Sequence, residues 1–356
     1  MQISIERERW IKMKIIKIPH KTCVINCAWN GMEDQYEWLT GERPPEYLFF
    51  CLSGMMDYSL YSEYKDMHIS YWNNEFTKSM YEFMEDIVGY RIKLREEASF
   101  AASLDTIKKY INNNIPVILG ALDMFNLPYF QWAYHKIHIP IHYIMAVGYD
   151  DEKRTIIIYD NDRDEPQEVP YQDLEDSWNM NVPFTLFTAE FNNPRSLQEI
   201  VNAGLSKKAE LILNSISNNN IGANSIKEFG YNLLLWKERL YKEEYRRRMF
   251  HFVEYTGFPP LLPKELLPYE PVNDSVHMGA RDVISKVLID VSQKYNKPYC
   301  KQSAELFYES GEIIKEITED VTAFLLGRAS ITNTTKEKVY CVAKKEEEAY
   351  KLILQD

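Results

Sequence analysis

No window of the chain approaches the ~20 uninterrupted apolar residues that a membrane-spanning helix needs. The first residues, MQISIERERWIKMKII, scatter charges among apolar side chains and show no secretory h-region, so a cytoplasmic location is expected. Cysteine is sparse. The five, at 23, 27, 51, 300 and 341, form no CxxC pair and no disulfide-dense framework. An odd number of thiols in such a chain predicts free cysteines, one of them reactive. Excess positive charge is missing as well: 41 Lys and Arg stand against 53 Asp and Glu, a net charge of −12. That balance argues against nucleic acid as the main partner, because phosphates are met by clustered Lys and Arg. No segment is repetitive or low in complexity.

What is present reads as a folded protein with room for two domains, 356 residues of which 45% are hydrophobic and 26% charged. Up to about residue 190 the texture is mixed. KIIKI (14–18) predicts a strand, Cys23 to about Leu39 a helix, 101–113 a second helix and IPVILGAL (115–122) a buried strand. IMAVGYDDE, IIIYDND and VPFTLFTAE add further strands, and the absence of a βαβ rhythm predicts α+β. After Asn192 the pattern turns helical, near 196–216, 225–251, 276–295, 299–326 and 335–354. Ser196 with Glu199, and Ser225 with Glu228, fit capping boxes. The expected domains are therefore 1–191 and a mostly helical 192–356.

HIPIHYIMAVGYDDEKRTIIIYDND (138–162) carries the strongest chemical signal. Taken as a hairpin with its loop at 150–152, Gly148 pairs with Arg154, and counting back sets His142 opposite Asp160. Opposed residues on an antiparallel pair have Cβ atoms about 4.5–5.5 Å apart, close enough for a carboxylate to fix an imidazole tautomer. A slip of one substitutes Asn161, and a slip of two Asp162. Pro140 breaks any helix between His138 and His142, so the HxxxH spacing loses its meaning as a two-ligand metal face. His135 and His138 then read as residues of an approach loop, and a zinc site from Cys23, Cys27 and two histidines is the weaker alternative.

An oriented histidine calls for a nucleophile. In PHKTCVINCAWNG (19–31), Thr22 can cap a helix that begins at Cys23, whose thiol would feel the positive end of the helix dipole. Alone, Cys23 reads as a small buried hydrophobe; with the His–Asp hairpin it reads as catalytic. Cys27, one turn on, faces the same side but deeper.

These residues resemble the butirosin biosynthesis protein H family. The likeness rests on the early Cys opening a helix, on IPVILGALDMFNLPY, and on a histidine leading into IMAVGYDDE and IIIYDND. AGLSKKAELILNS, GANSIKEFGYNLLLWKE and MGARDVISKVLIDVSQKY extend it loosely into the C-terminal half. The resemblance implies a papain-like cysteine-enzyme fold with a helical C-terminal region. It also implies acyl transfer from an acyl carrier protein thioester to an amine of a natural product. Its nucleophile falls on Cys23, its base on His142 and its orienting acid on Asp160. Asp123 matches a family aspartate that positions substrate or holds a loop. Three features depart: Lys21 and Thr22 separate His20 from Cys23, Asn114-Ile115 stands where the family usually has Gly before Pro-Val, and the glutamine that papain-like peptidases place a few residues before the cysteine for the oxyanion hole is missing.

No cofactor is expected beyond the 4'-phosphopantetheine of the carrier-bound substrate, and no metal. Asn161 and Asp162, with the acidic residues that follow, are candidates for attracting the amine acceptor. An acidic carrier would dock on YRRRMF, through Arg246, Arg247 and Arg248, or these arginines are a solvated helix face balanced by Glu243 and Glu244. A cysteine peptidase or amidohydrolase would use the same triad, and a non-catalytic scaffold would keep the fold alone. Exposed helical faces leave room for a homodimer.

Overall fold

The computed structural model of the protein describes residues 12–22, 27–53, 58–60, 67–69, 74–140, 142–178, 183–214, 222–255 and 281–355. The chain divides into two compact units. One comprises Met1–Arg43, Asn73–Lys78 and Tyr90–Asn192; the other comprises Pro44–Trp72, Ser79–Gly89 and Asn193–Asp356.

The chain opens with β1 (Met13–Ile15) and α1 (Cys27–Thr40). The short elements α2 (Leu48–Leu52), β2 (Tyr58–Leu60) and β3 (Met67–Ile69) follow, then α3 (Asn74–Val88). Next come β4 (Arg91–Glu97), α4 (Phe100–Asn112), β5 (Val117–Leu122) and β6 (His142–Asp150). The first unit closes with β7 (Thr155–Asp160), β8 (Arg163–Pro170), α5 (Tyr171–Trp178) and β9 (Phe184–Glu190). Among the described residues after β9 the elements are helices: α6 (Leu197–Asn214), α7 (Ala223–Arg239), α8 (Lys242–Tyr255), α9 (Arg281–Tyr295), α10 (Pro298–Leu325) and α11 (Asn333–Ile353). The fold class is α+β. Among the described residues no helix is long and apolar enough to cross a membrane.

In the first unit, seven strands make one sheet in the order β4–β9–β5–β6–β7–β8, with β1 pairing the far end of β6. Each of these pairings is antiparallel. Every residue of β5 and β6 is buried, so these strands read as continuous apolar runs and not as alternations. The edges read differently. β4 alternates exposed with half-buried positions, and β8 holds Pro166, which an edge strand tolerates because it need not donate on its outer side. The core packs around Leu119, Ile144, Val147, Ile158, Trp178 and Leu186.

The β6–β7 hairpin departs from the expected register. Asp150 pairs with Thr155 and Gly148 with Ile157, so the loop is Asp151–Arg154 and not 150–152. Asp150 makes this longer turn by accepting from the N–H groups of Glu152 (2.9 Å) and Lys153 (3.1 Å), and Arg154 closes it with φ of 57°. An irregularity between Ala146 and Gly148 then shifts the ladder, so that Met145 faces Tyr159.

In the second unit, Ser196 and Glu199 form the expected capping box: Ser196 N–H donates to Glu199 at 3.0 Å and Glu199 N–H to Ser196 at 3.4 Å. The other proposed box is not a cap. α7 begins at Ala223 behind Gly222, which leaves Ser225 buried inside the helix. The expected single helix over 225–251 is two, broken where Leu240 turns extended (ψ 154°). Phe229, Leu233, Met249, Phe252, Ile317 and Val339 fill the core of these helices. Elsewhere in the same unit Arg281 and Glu346, both fully buried, pair at 2.7 Å, and Ser310 donates to the same carboxylate at 2.6 Å.

Candidate active site

The site forms where α1 lies against β6 and β7. Gly31 permits the approach: a Cβ there would meet Met145 Sδ at 3.0 Å. Cys27, the first residue of α1, is part-exposed, and its sulfur accepts from the Tyr143 N–H at 3.4 Å. It is also hydrogen-bonded to His142. Cys23, the expected nucleophile, lies outside the described residues; among the described residues it is Cys27 whose sulfur is at His142.

His142 opens β6, and its Nε2 donates to Asp160 at 2.8 and 2.9 Å. Burial acts to lower the pKa of His142, but the Asp160 carboxylate and the Cys27 sulfur outweigh it and hold the imidazole well above its usual value. Asp160 shows the mirror image. Burial pushes it up, while His142, the Tyr129 hydroxyl and the Asn161 N–H bring it below the usual carboxylate value. Tyr129 donates to Asp160 at 2.7 Å and the Asn161 N–H at 2.6 Å. Burial first, and then the Asp160 charge, push the Tyr129 phenol well up. The edge of His142 is packed by Phe130, ring centroids 5.0 Å apart at 88°.

Residues 26–161 match the family model for butirosin biosynthesis protein H, N-terminal. This stretch is similar to the butirosin biosynthesis protein H N-terminal domain, and the match begins one residue before Cys27 and ends one residue after Asp160. No curated protein matches the chain. The family implies a biosynthetic, acyl-transfer-related enzyme of antibiotic production.

Within the matched stretch, a second histidine–aspartate pair stands near the first. Leu122 pairs with His142 across β5 and β6, so Asp123 follows at the same end of the sheet. Asp123 is fully buried. It accepts from His138 Nδ1 at 2.6 Å and from the N–H groups of Ile139 at 2.8 Å and Phe125 at 3.1 Å. It therefore ties the 124–139 loop to the end of β5. His138 stacks on Phe125, with its side chain 58% exposed. Asp162 forms a two-pronged ion pair with Arg163 at 2.7 and 2.8 Å, and that guanidinium lies over the Tyr129 ring.

The arginines expected to dock a carrier lie on α8 and each has an intramolecular partner. Arg246 donates to the Leu325 carbonyl at 2.7 Å, while Arg247 and Arg248 share Glu244 at 2.9 and 3.1 Å. Hydrogen bonding to Arg247, together with Arg248 and against a smaller effect of burial, brings Glu244 down to about 2. Arg248 also packs over Trp236, 4.6 Å from its centroid. Sequence reasoning placed Cys27 one turn on from Cys23, on the same side but deeper, and in the weaker zinc alternative.

Proposed function

We propose that this protein is a cysteine-dependent acyltransferase, moving an acyl group from an acyl carrier protein thioester to an amine of a natural product through Cys27. The observation that carries the reading is the unbroken contact from Cys27 to His142 to Asp160. It supports a thiolate–imidazolium pair oriented by a buried carboxylate. The Cys27 thiolate attacks the thioester carbonyl. The attack forms a tetrahedral oxyanion on the carbonyl. The pantetheine thiol leaves with the proton of His142, and the acyl group remains on Cys27 as a thioester. The acceptor amine then attacks, His142 takes its proton, and amide release restores the Cys27 thiolate beside the imidazolium.

Asp160 fixes the ring and compensates its charge. Asp123 shapes the loop beside the site, and Asn161 holds Asp160 through its backbone. The only prosthetic group in this scheme is the carrier's 4'-phosphopantetheine, which is part of the substrate. The Arg247 side chain is 40% exposed against 11% for Arg248, and Arg247 is the one we retain for carrier contact.

Transfer and hydrolysis share this triad, and partitioning separates them. The protein is incubated with acyl-N-acetylcysteamine thioesters and a panel of aminoglycoside and polyamine acceptors. Transfer predicts amide in excess over free acid, with the ratio rising with amine concentration. Free acid alone at every amine concentration would favour the hydrolase.

A further inference from the structure

His20 lies in the segment before α1, and its side chain is 2% exposed. Nδ1 is 2.6 Å from Asp34 Oδ2, and Nε2 is 3.1 Å from the Asp160 carbonyl and 3.0 Å from that of Arg163. The ring stacks on Tyr159 at 4.3 Å. All three polar partners are acceptors. Asp34 Oδ1 accepts from Arg43 at 2.6 Å and from the Lys21 N–H at 3.3 Å. A neutral imidazole would turn a lone pair on either the carboxylate or the two carbonyls, with no donor to meet it. Only the doubly protonated ring satisfies both ends.

We propose that His20 is a positioning residue for the Cys27 site: as an imidazolium it ties α1, through Asp34, to the backbone of Asp160 and the turn after it. Asp34 lies two helical turns beyond Cys27, and Asp160 carries His142. The clamp thus joins the helix that holds the nucleophile to the residue that orients the base. The inference rests on the reading of Cys27, His142 and Asp160 given above.

The charges around His20 come from each packed element. α1 supplies Asp34, and Arg43 behind it is shared with Glu33 and Glu37. The β7–β8 turn supplies Asp160, with Asp162 paired to Arg163. Tyr159 and Tyr129 are the neutral titratable neighbours, and Lys21 contributes its N–H. Burial acts to lower the pKa of His20, but Asp34 and the two carbonyls outweigh it and raise it. The clamp is complete below the unfolded histidine value of ~6.5 and is lost as pH rises through the raised folded value.

Asp34→Asn provides the critical variant. An asparagine can keep its oxygen toward Arg43 and Lys21 and turn its amide toward Nδ1, which satisfies a neutral His20 protonated on Nε2. Nitrogen-15 NMR of labelled histidine, assigned by the signal lost in His20→Gln, reads the protonation state near neutral pH. Iodoacetamide alkylation of Cys27, mapped by peptide mass, reads positioning against pH. The wild type is expected to show both His20 nitrogens protonated, and Asp34→Asn a neutral ring with alkylation within about twofold of wild type. His20→Gln and Asp34→Ala should slow alkylation by about tenfold and displace its low-pH limb from that of the wild type.

A neutral His20 in the wild type would overturn the proposal. So would folded His20→Gln or Asp34→Ala with an unmoved limb. Failure of the nucleophile reading is a separate result, an acyl adduct that survives Cys27→Ala, and it leaves the protonation state of His20 as measured.

Discussion

His142 Nε2 lies 2.8 Å from Asp160, although the two are not opposite one another in the β6–β7 ladder. Met145 faces Tyr159, so continuing that ladder places Ile144 opposite Asp160 and makes the histidine a diagonal neighbour. Diagonal pairs on one face are separated by roughly 7–8 Å at the backbone, a gap that an imidazole and a carboxylate together can close.

Replacing Asp160 by Asn keeps the size and removes the charge. Steady-state turnover of a thioester substrate should fall by about 10²–10⁴-fold with the fold intact. The pH dependence of stability follows from the two shifts. The Asp160 contribution is present above the unfolded carboxylate value of ~3.9 and is lost as pH falls through the lowered folded value. The His142 contribution is complete below ~6.5 and is lost as pH rises through its raised value. Urea midpoints of wild type and Asp160→Asn should therefore differ most from mildly acidic to neutral pH and converge on both sides.

Tyr129→Phe removes one donor to Asp160 without opening a cavity. A hydrogen bond to a charged group is worth about 1.5–3 kcal/mol, so stability at neutral pH should fall by roughly that amount. Asp160 should then titrate at higher pH, and acid unfolding of the variant should begin earlier. Circular dichroism followed against pH measures both.

Much of this was legible in the residues, and the failures have physical causes. The buried runs of β5 and β6 and the pairing of His142 with Asp160 were readable, because burial on both faces and the two-residue period leave their mark on sequence. The pairing survived a wrong register because two errors, a longer Asp150 turn and the irregularity after Ala146, added up to a shift of two, which returns side chains to the same face. β4 and β8 were not anticipated: edge strands carry exposed charges and, in β8, Pro166. The contribution of 44–72 and 79–89 to the helical unit was equally hidden, since which core an apolar segment joins is a matter of tertiary contact. Cys23, the nucleophile expected from the sequence, lies outside the described residues, and Cys27 follows it by four positions.

Asp123→Ala should destabilise the protein by about 3 kcal/mol, because it strips two backbone N–H groups and His138 of their acceptor inside the fold. Urea denaturation measures this. Loosening the 124–139 loop should also raise KM for the acyl donor more than it lowers kcat. Unchanged stability would show that water replaces the carboxylate.

The fully buried Arg281–Glu346 pair makes a prediction for the helical unit. Glu346→Ala leaves a buried guanidinium without its counter-charge and should cost about 3–5 kcal/mol, whereas replacing both residues by apolar ones of similar size should cost much less. A double-mutant cycle in guanidinium chloride gives the two values.

The central claim is that Cys27 carries the acyl group. Intact-mass analysis, after mixing with an acyl-loaded carrier or a thioester mimic, tests it most directly in wild type, Cys27→Ala and Cys23→Ala. The account predicts one added acyl mass on the wild type and on Cys23→Ala, and none on Cys27→Ala. An adduct that persists in Cys27→Ala and vanishes in Cys23→Ala would contradict it.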